Sequence, residues 1–229
     1  NDTIDLAEKM GITTLQDRSR FGLSLVLGGA EVKLADITSA YGVFANDGVG
    51  NPWYFVRSVE SADGAVLENN NPDPKRIVEP QIARLVSDVL SDNASRAPVF
   101  GYSSSLYFPG RSVAAKTGTT QENRDAWVIG YSPTIVTGIW VGNNRQESMT
   151  QEGAGISAAG PMWHEFMAKA LEKLPREEFV KPDLVSSSKP MLNGSYDSSD
   201  PHNILYYVDR SSDQFENWEW SVRRFFGLN

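Results

Sequence analysis

The chain has 229 residues, 40% of them hydrophobic, and carries 21 basic against 29 acidic residues for a net charge of −8. That length suits one domain with an appendage or two small ones, with apolar residues enough for a sizeable core, while an acidic balance without a basic run argues against nucleic acid as a partner. There is no cysteine, which removes thiol nucleophiles, disulfides and thiolate metal sites but leaves the compartment open. No stretch approaches the ~18 consecutive apolar residues of a spanning helix. The opening NDTIDLAEKMGI has neither initiator methionine nor signal-peptide pattern, so the sequence is expected to be a segment of a longer chain whose export signal or anchor lies upstream.

In chain order, Asp2 is placed to cap a helix over DTIDLAEKM that Gly11 stops, and KLADITSAYGVFANDG puts Leu34, Ile37, Tyr41 and Phe44 at helical spacing before Asn46 to Gly48 break it. WYFVRSVES and GAVLEN flank Ala62-Asp63-Gly64, a hairpin signature. PQIARLVSDVLSDN starts near Pro80 and carries Ile82, Leu85, Val86, Val89 and Leu90 on one helical face. The period then changes: SVAAKTGTT, DAWVIGYS and TIVTGIWVGN predict three short strands, the last two joined by a tight Ser132-Pro133-Thr134 turn. Pro161 opens a helix with Trp163, Phe166, Met167, Ala170, Leu171 and Leu174 facing a core. After Pro175 the chain becomes rich in Ser, Pro, Asn and Asp, as a linker or loosely held tail would be. The aromatic ILYYVDRSSDQFENWEWSVRRFFGLN then ends the sequence and could dock as a strand and helix. The expected division is residues 1–175 and 176–229.

Two chemistries compete for Lys116. Gly110-x-x-x-x-Ala115-Lys116-Thr117 comes within one residue of a phosphate-cradling loop. That loop needs a buried strand before its first glycine and a helix beginning at the lysine. Here YFPG precedes it, Ala115 stands where a glycine is required, and GTTQENRDAW opens onto a strand. On a strand the residues alternate, so Lys116 and Gly118 share one face while Thr117 and Thr119 share the other. A cation, hydroxyls, free edge amides and a glycine that admits another backbone together suit carboxylate docking.

Lys116-Thr117-Gly118, followed by Thr119-Thr120 and RDAWVIGYSPTIVTGIWVGN, resembles the third motif and following hairpin of the penicillin-binding proteins. FGLSLVLGGAEVKLADITSAYGVFANDGV and DVLSDNASRAPVFG resemble the segments preceding that strand in the bifunctional class A enzymes. The chain is thus similar to the C-terminal part of their transpeptidase domain, well over residues 2–175 and more faintly in the tail. The resemblance implies an α/β fold of α+β type, β-lactamase/transpeptidase-like, with an antiparallel sheet flanked by helices and incomplete on its N-terminal side. It implies peptidoglycan stem peptides and β-lactams as ligands, the upstream half of the same domain, a glycosyltransferase domain and a membrane anchor as companions, and an extracytoplasmic location. No cofactor or metal is implied.

The family uses a Ser-x-x-Lys nucleophile, a Ser-x-Asn proton relay and the Lys-Thr-Gly strand, in that order. Only the third is in place. Ser186-Ser187-Ser188-Lys189 spells the first but follows the strand, with Pro190 opposing helical geometry at Lys189; Ser91-Asp92-Asn93 spells the second but reads as a polar helix terminus. Carried over by resemblance, Lys116 supplies positive potential for a terminal carboxylate, Thr117 and Thr119 offer it hydroxyls, and Gly118 lets substrate lie against the strand. The Thr119 N–H forms half of an oxyanion hole, with Thr120 behind. Asp125 and Trp127 are expected to pack and hydrogen-bond behind the site, Arg124 to pair with Glu122 or Asp125, and His164 to lie at a surface or interface. Gly28 and Gly29 form a turn, with Glu31 either capping the next helix or contacting a ligand. Two alternatives stay open: a non-catalytic carboxylate-binding or scaffold module, and a serine β-lactamase or D,D-carboxypeptidase.

Overall fold

A computed structural model describes residues 2–149 and 155–183. Its contacts separate Asn1–Pro182 from Asp183–Asn229. Ser186, Lys189 and the aromatic C-terminal stretch lie outside the described residues.

Helix α1 (Asp2–Lys9) forms where its pattern places it, with Asp2 and Asp5 in the first turn, where the helix dipole favours negative charge. Gly11 follows at φ +103°, the left-handed conformation that ends the segment. The LSLVL stretch, Leu23–Leu27, makes a 3-10 helix ending on left-handed Gly28. Glu31 caps nothing: its carboxylate meets Arg20 at 3.3 Å and its carbonyl accepts from the Thr14 hydroxyl. Helix α2 (Leu34–Ala45) buries Asp36, Ala40 and Val43 most deeply. The larger side chains around them are partly buried because the helix is covered on more than one side, Ile37 joining a small cluster with Ile4, Ile12 and Leu15 and Tyr41 meeting the Tyr131 ring edge-on at 6.2 Å.

Beyond α2, β1 (Val49–Gly50) pairs antiparallel with β4 (Lys75–Arg76), and between them β2 (Ser58–Glu60) and β3 (Val66–Asn69) form the expected hairpin around left-handed Gly64. Helix α3 (Pro80–Ser91) departs from expectation in which face it buries. Ala83 and Ser87 are buried, whereas Ile82, Leu85 and Val89 are 52%, 46% and 72% exposed. Helix α4 (Asn93–Phe100) follows at once, its first turn capped by Asp92, whose carboxylate accepts from the Ser95 N–H at 3.0 Å.

The sheet that organises the unit is an antiparallel meander of β5 (Ala114–Thr119), β6 (Asp125–Ser132) and β7 (Ile135–Gly142), in that spatial order. Ser132 opposite Ile135 confirms the tight Pro133-Thr134 turn. Period-two alternation assigns the faces. On one, Ile129, Tyr131 and Gly138 meet α2 and α3: Tyr131 Oη and Ser87 Oγ share a buried hydrogen bond of 3.0 Å, and Gly138 comes so close to α2 that a Cβ there would sit 2.1 Å from Thr38 Oγ1. The Tyr131 phenol, buried and hydrogen-bonded to Ser87, is pushed up to about 12 mainly by burial.

The other face carries the main core. Val113, Ala115, Ala126 and Val128 pack under the short helix α5 (Gly155–Ala158) and α6 (Gly160–Lys173), whose Trp163, Met167 and Leu171 repeat every fourth residue and are buried. Phe166, expected inside, is 52% exposed, because that stripe already fills the face one turn around. Gly130 admits Trp163, whose indole N–H donates to the Thr137 carbonyl at 3.1 Å. Residues 176–181 run back along the unit: Arg111 donates to the carbonyls of Leu174 and Pro175, Phe179 meets Tyr131 edge-on, and Lys181 reaches Asp88 at 2.8 Å.

Candidate active site

β5 begins buried and ends exposed. Val113, Ala114 and Ala115 are enclosed between the helical layers, and the chain emerges to solvent at Lys116. The register sets Lys116 opposite Ile129, Thr117 opposite Val128, Gly118 opposite Trp127 and Thr119 opposite Ala126. Lys116 and Gly118 therefore share the face of α2 and α3, and Thr117 and Thr119 the face of α5 and α6.

The same register orients the backbone. Thr120 N–H donates to the Asp125 carbonyl at 3.1 Å, so that pair is hydrogen-bonded. In an antiparallel ladder such pairs alternate with unbonded ones. Gly118, Lys116 and Ala114 consequently address β6, while the N–H and C=O of Thr119, Thr117 and Ala115 point to the open edge. The lysine confirms this direction: Lys116 Nζ folds back to the Thr117 carbonyl at 2.6 Å. Outward N–H groups beside an ammonium supply the donors and the charge that an anion needs.

The threonines divide their work. Thr119 Oγ1 accepts from the Gly155 N–H at 2.9 Å, seating the start of α5 so closely that a Cβ on Gly155 would lie 2.5 Å from the Gly118 carbonyl oxygen. Thr120 turns its hydroxyl to Asp125, donating to Oδ2 at 2.8 Å and accepting from the Asp125 N–H at 2.8 Å. Thr119 thus presents its amide outward while its hydroxyl holds the neighbouring helix, and Thr120 closes the turn behind.

The penicillin-binding protein transpeptidase domain family matches residues 8–168, which span the sheet, its helices and this edge. The chain belongs to that family. Penicillin-binding protein 1A of Aquifex aeolicus is 34% identical over 184 residues, covering 78% of this chain and 24% of that protein. Penicillin-binding protein 1A of Mycobacterium tuberculosis is 36% identical over 169 residues, covering 69% and 20%. The chain accordingly spans about a quarter or less of the length of these relatives. Among solved structures, the PonA1 protein of M. tuberculosis in complex with penicillin V matches with a TM-score of 0.67 at 33% identity, over 80% of this chain and 52% of that one. Penicillin-binding protein 1A of Haemophilus influenzae, at 20% identity and a TM-score of 0.63, shares the fold. The fold is the β-lactamase/transpeptidase one, and the chain is a partial transpeptidase domain.

Elsewhere in this transpeptidase domain, Ser91-Asp92-Asn93 is a helix junction. Asp92 caps α4, Ser91 Oγ donates to the Asp88 carbonyl, and Asn93 Nδ2 donates to the Tyr102 carbonyl. Arg124 pairs with Glu122. His164 is half-buried: its ring stacks on Phe108 at 4.4 Å and its Nδ1 donates to the Ser105 carbonyl at 2.9 Å. Sequence reasoning missed Gly155 and Trp140. The Trp140 indole N–H donates to Asp125 Oδ1 at 2.9 Å, a contact with no local pattern to announce it. Among the described residues no group of three or more His, Asp and Glu is placed to hold a metal, and no helix is long and apolar enough to cross a membrane.

Proposed function

We propose that this chain is the C-terminal part of a D,D-transpeptidase domain of the class A kind, and that the free edge of β5 docks the acyl donor. The observation that carries the reading is the outward amide row at Thr117 and Thr119 beside exposed Lys116, in a chain of this family. Lys116 supplies positive potential to the donor's terminal carboxylate, assisted by Thr117, and Gly118 leaves room for a peptide alongside. The Thr119 N–H points where a tetrahedral oxyanion would need a donor.

The nucleophilic serine comes from the upstream part of the domain. Its oxygen bonds to the penultimate D-alanine carbonyl carbon, the C–N bond to the terminal D-alanine breaks, and the hydroxyl proton passes to the leaving amine. An amine of a neighbouring stem peptide then takes the acyl group and frees the serine. A β-lactam imitates the donor and stays attached. The intact protein is extracytoplasmic and anchored through its N-terminal region, with a glycosyltransferase domain before this one, while the 229-residue chain alone is inert.

Intact-mass measurement after incubation with a penicillin tests this. The intact protein gains one penicillin, the 229-residue chain gains none, and Lys116→Ala in the intact protein slows acylation by roughly 100-fold, the scale of losing one electrostatic contact to the reacting group. An adduct on the short chain, or unchanged acylation by Lys116→Ala, overturns the assignment.

A further inference from the structure

Among the described residues, the working end of β5 has a strand neighbour on one side only. Thr119 and Thr120 are followed by a turn in which Glu122 and Asn123, neither a glycine, both adopt left-handed φ of 58° and 51°. Consecutive left-handed non-glycine residues persist only where surrounding contacts hold them. Those contacts come from the two ends of the turn, where Thr120 and Asp125 exchange three hydrogen bonds: amide to carbonyl, hydroxyl to carboxylate, and amide to hydroxyl.

The second carboxylate oxygen reaches further. Asp125 Oδ1 accepts from the Trp140 indole, which comes from β7, two strands away from β5. Trp140 arrives there by lying over Gly142, the residue opposite Asp125, where a Cβ would come within 2.6 Å of the indole Cζ2. Its other neighbour is Trp127, ring centroids 6.3 Å apart, and Trp127 in turn backs Gly118. One chain of contacts therefore runs Trp140–Asp125–Thr120 across all three strands and ends one residue from the Thr119 amide.

We propose that Asp125 and Trp140 are positioning residues for acylation: through the Thr120 hydroxyl they fix the direction in which the Thr119 N–H leaves the free edge of β5. The proposal rests on the assignment of β5 as the donor-docking strand. Without the clamp the turn relaxes and the last outward amide swings, although the strand itself remains paired through its buried half. The loss falls on the rate of acylation, because the edge meets the reacting carbonyl only there.

The test uses the intact protein and the variants Thr120→Val, Thr120→Ser, Trp140→Phe and the double Thr120→Val/Trp140→Phe. Acylation by penicillin is followed by stopped-flow, and hydrogen exchange is read on peptides spanning residues 114–125. Thr120→Val and Trp140→Phe each acylate roughly 10- to 100-fold more slowly, the cost of a misplacement below ~1 Å. Thr120→Ser, which keeps the hydroxyl, stays within about 2-fold of wild type. The double variant is about as slow as either single one, because both break the same chain of contacts. Exchange in 114–125 quickens in Thr120→Val.

Wild-type acylation by Thr120→Val, equal slowing by Thr120→Ser, or multiplicative slowing in the double variant each overturns the clamp. If wild type itself takes up no penicillin, the transpeptidase reading falls and exchange alone decides the clamp: quickened exchange in Thr120→Val upholds it as a device of the turn, and unchanged exchange removes it.

Discussion

Asp36 shows how one buried charge can be held by distant donors. It is 1% exposed, in the first turn of α2, and accepts from the Thr13 amide at 3.0 Å, the Thr13 hydroxyl at 2.6 Å and the Trp53 indole at 3.2 Å. Burial alone would raise its pKa, but those hydrogen bonds, with Lys33 nearby, bring it below the ordinary carboxylate value. Asp36→Ala leaves the Thr13 amide and hydroxyl and the half-exposed Trp53 indole without this acceptor, and we expect a loss of about 1–3 kcal/mol in urea unfolding at pH 7. The pH dependence follows from the sign of the shift. A carboxylate depressed in the folded state stabilises above its unfolded pKa of about 3.9, and that contribution disappears as pH falls through the lower folded value. Wild type therefore loses more stability than Asp36→Asn as pH falls from about 4 to about 2, and parallel slopes would remove the assignment. None of this was legible beforehand. An acidic residue in a first helical turn reads as a complement to the dipole, and its donors lie 23 and 17 residues away in sequence. The place of Lys116 on a strand, by contrast, was legible, because strand alternation is a local property that a short stretch records.

At the scale of elements, glycines at two positions decide how closely the helices lie on the sheet. Gly130 and Gly138 stand on opposite faces, the first under Trp163 and the second under Thr38. A methyl at 130 would meet Trp163 Cζ2 at 2.2 Å and the Ala114 carbonyl oxygen at 2.8 Å, and neither a fully buried indole nor a strand backbone can give way cheaply. At 138 the closest atoms are Thr38 Oγ1 and Leu34 Cδ1, which can rotate away, while Thr38 Cβ at 3.3 Å need give by only a few tenths of an ångström. Overpacking of this sort costs about 1–3 kcal/mol. We expect Gly130→Ala at or above the top of that range and Gly138→Ala near its foot, measured by denaturant unfolding; the reverse order would contradict the layer assignment. The sequence showed the three strands, the tight turn at Pro133 and the Trp163, Met167 and Leu171 stripe. A glycine in a strand announced a close approach without naming its partner, since that depends on which helix returns to which face.

For the molecule as a whole, the informative feature is apolar surface left uncovered. The apolar stripe of α3 was visible in the sequence, yet Ile82, Leu85 and Val89 face outward, together with Val99 of α4 and, at 94%, 77% and 90% exposure, Leu23, Val26 and Leu27 of the 3-10 helix. Periodicity records which side of a helix is apolar; it does not record what lies against that side when the covering element belongs to another stretch of chain. Natural soluble domains seldom leave such patches open, and among the described residues β5 and β7 also present unpaired strand edges. On the reading proposed above, the upstream part of the domain covers much of this surface. The isolated 229-residue chain is then expected to associate as its concentration rises, seen as a mass above 25.3 kDa in sedimentation, and to brighten an apolar-surface dye. Adding the upstream part in trans would lower both signals, because the same area cannot be buried twice. A chain that stays monomeric and dark to the dye would mean that these side chains are satisfied within the chain itself, and that the upstream part is not what covers them.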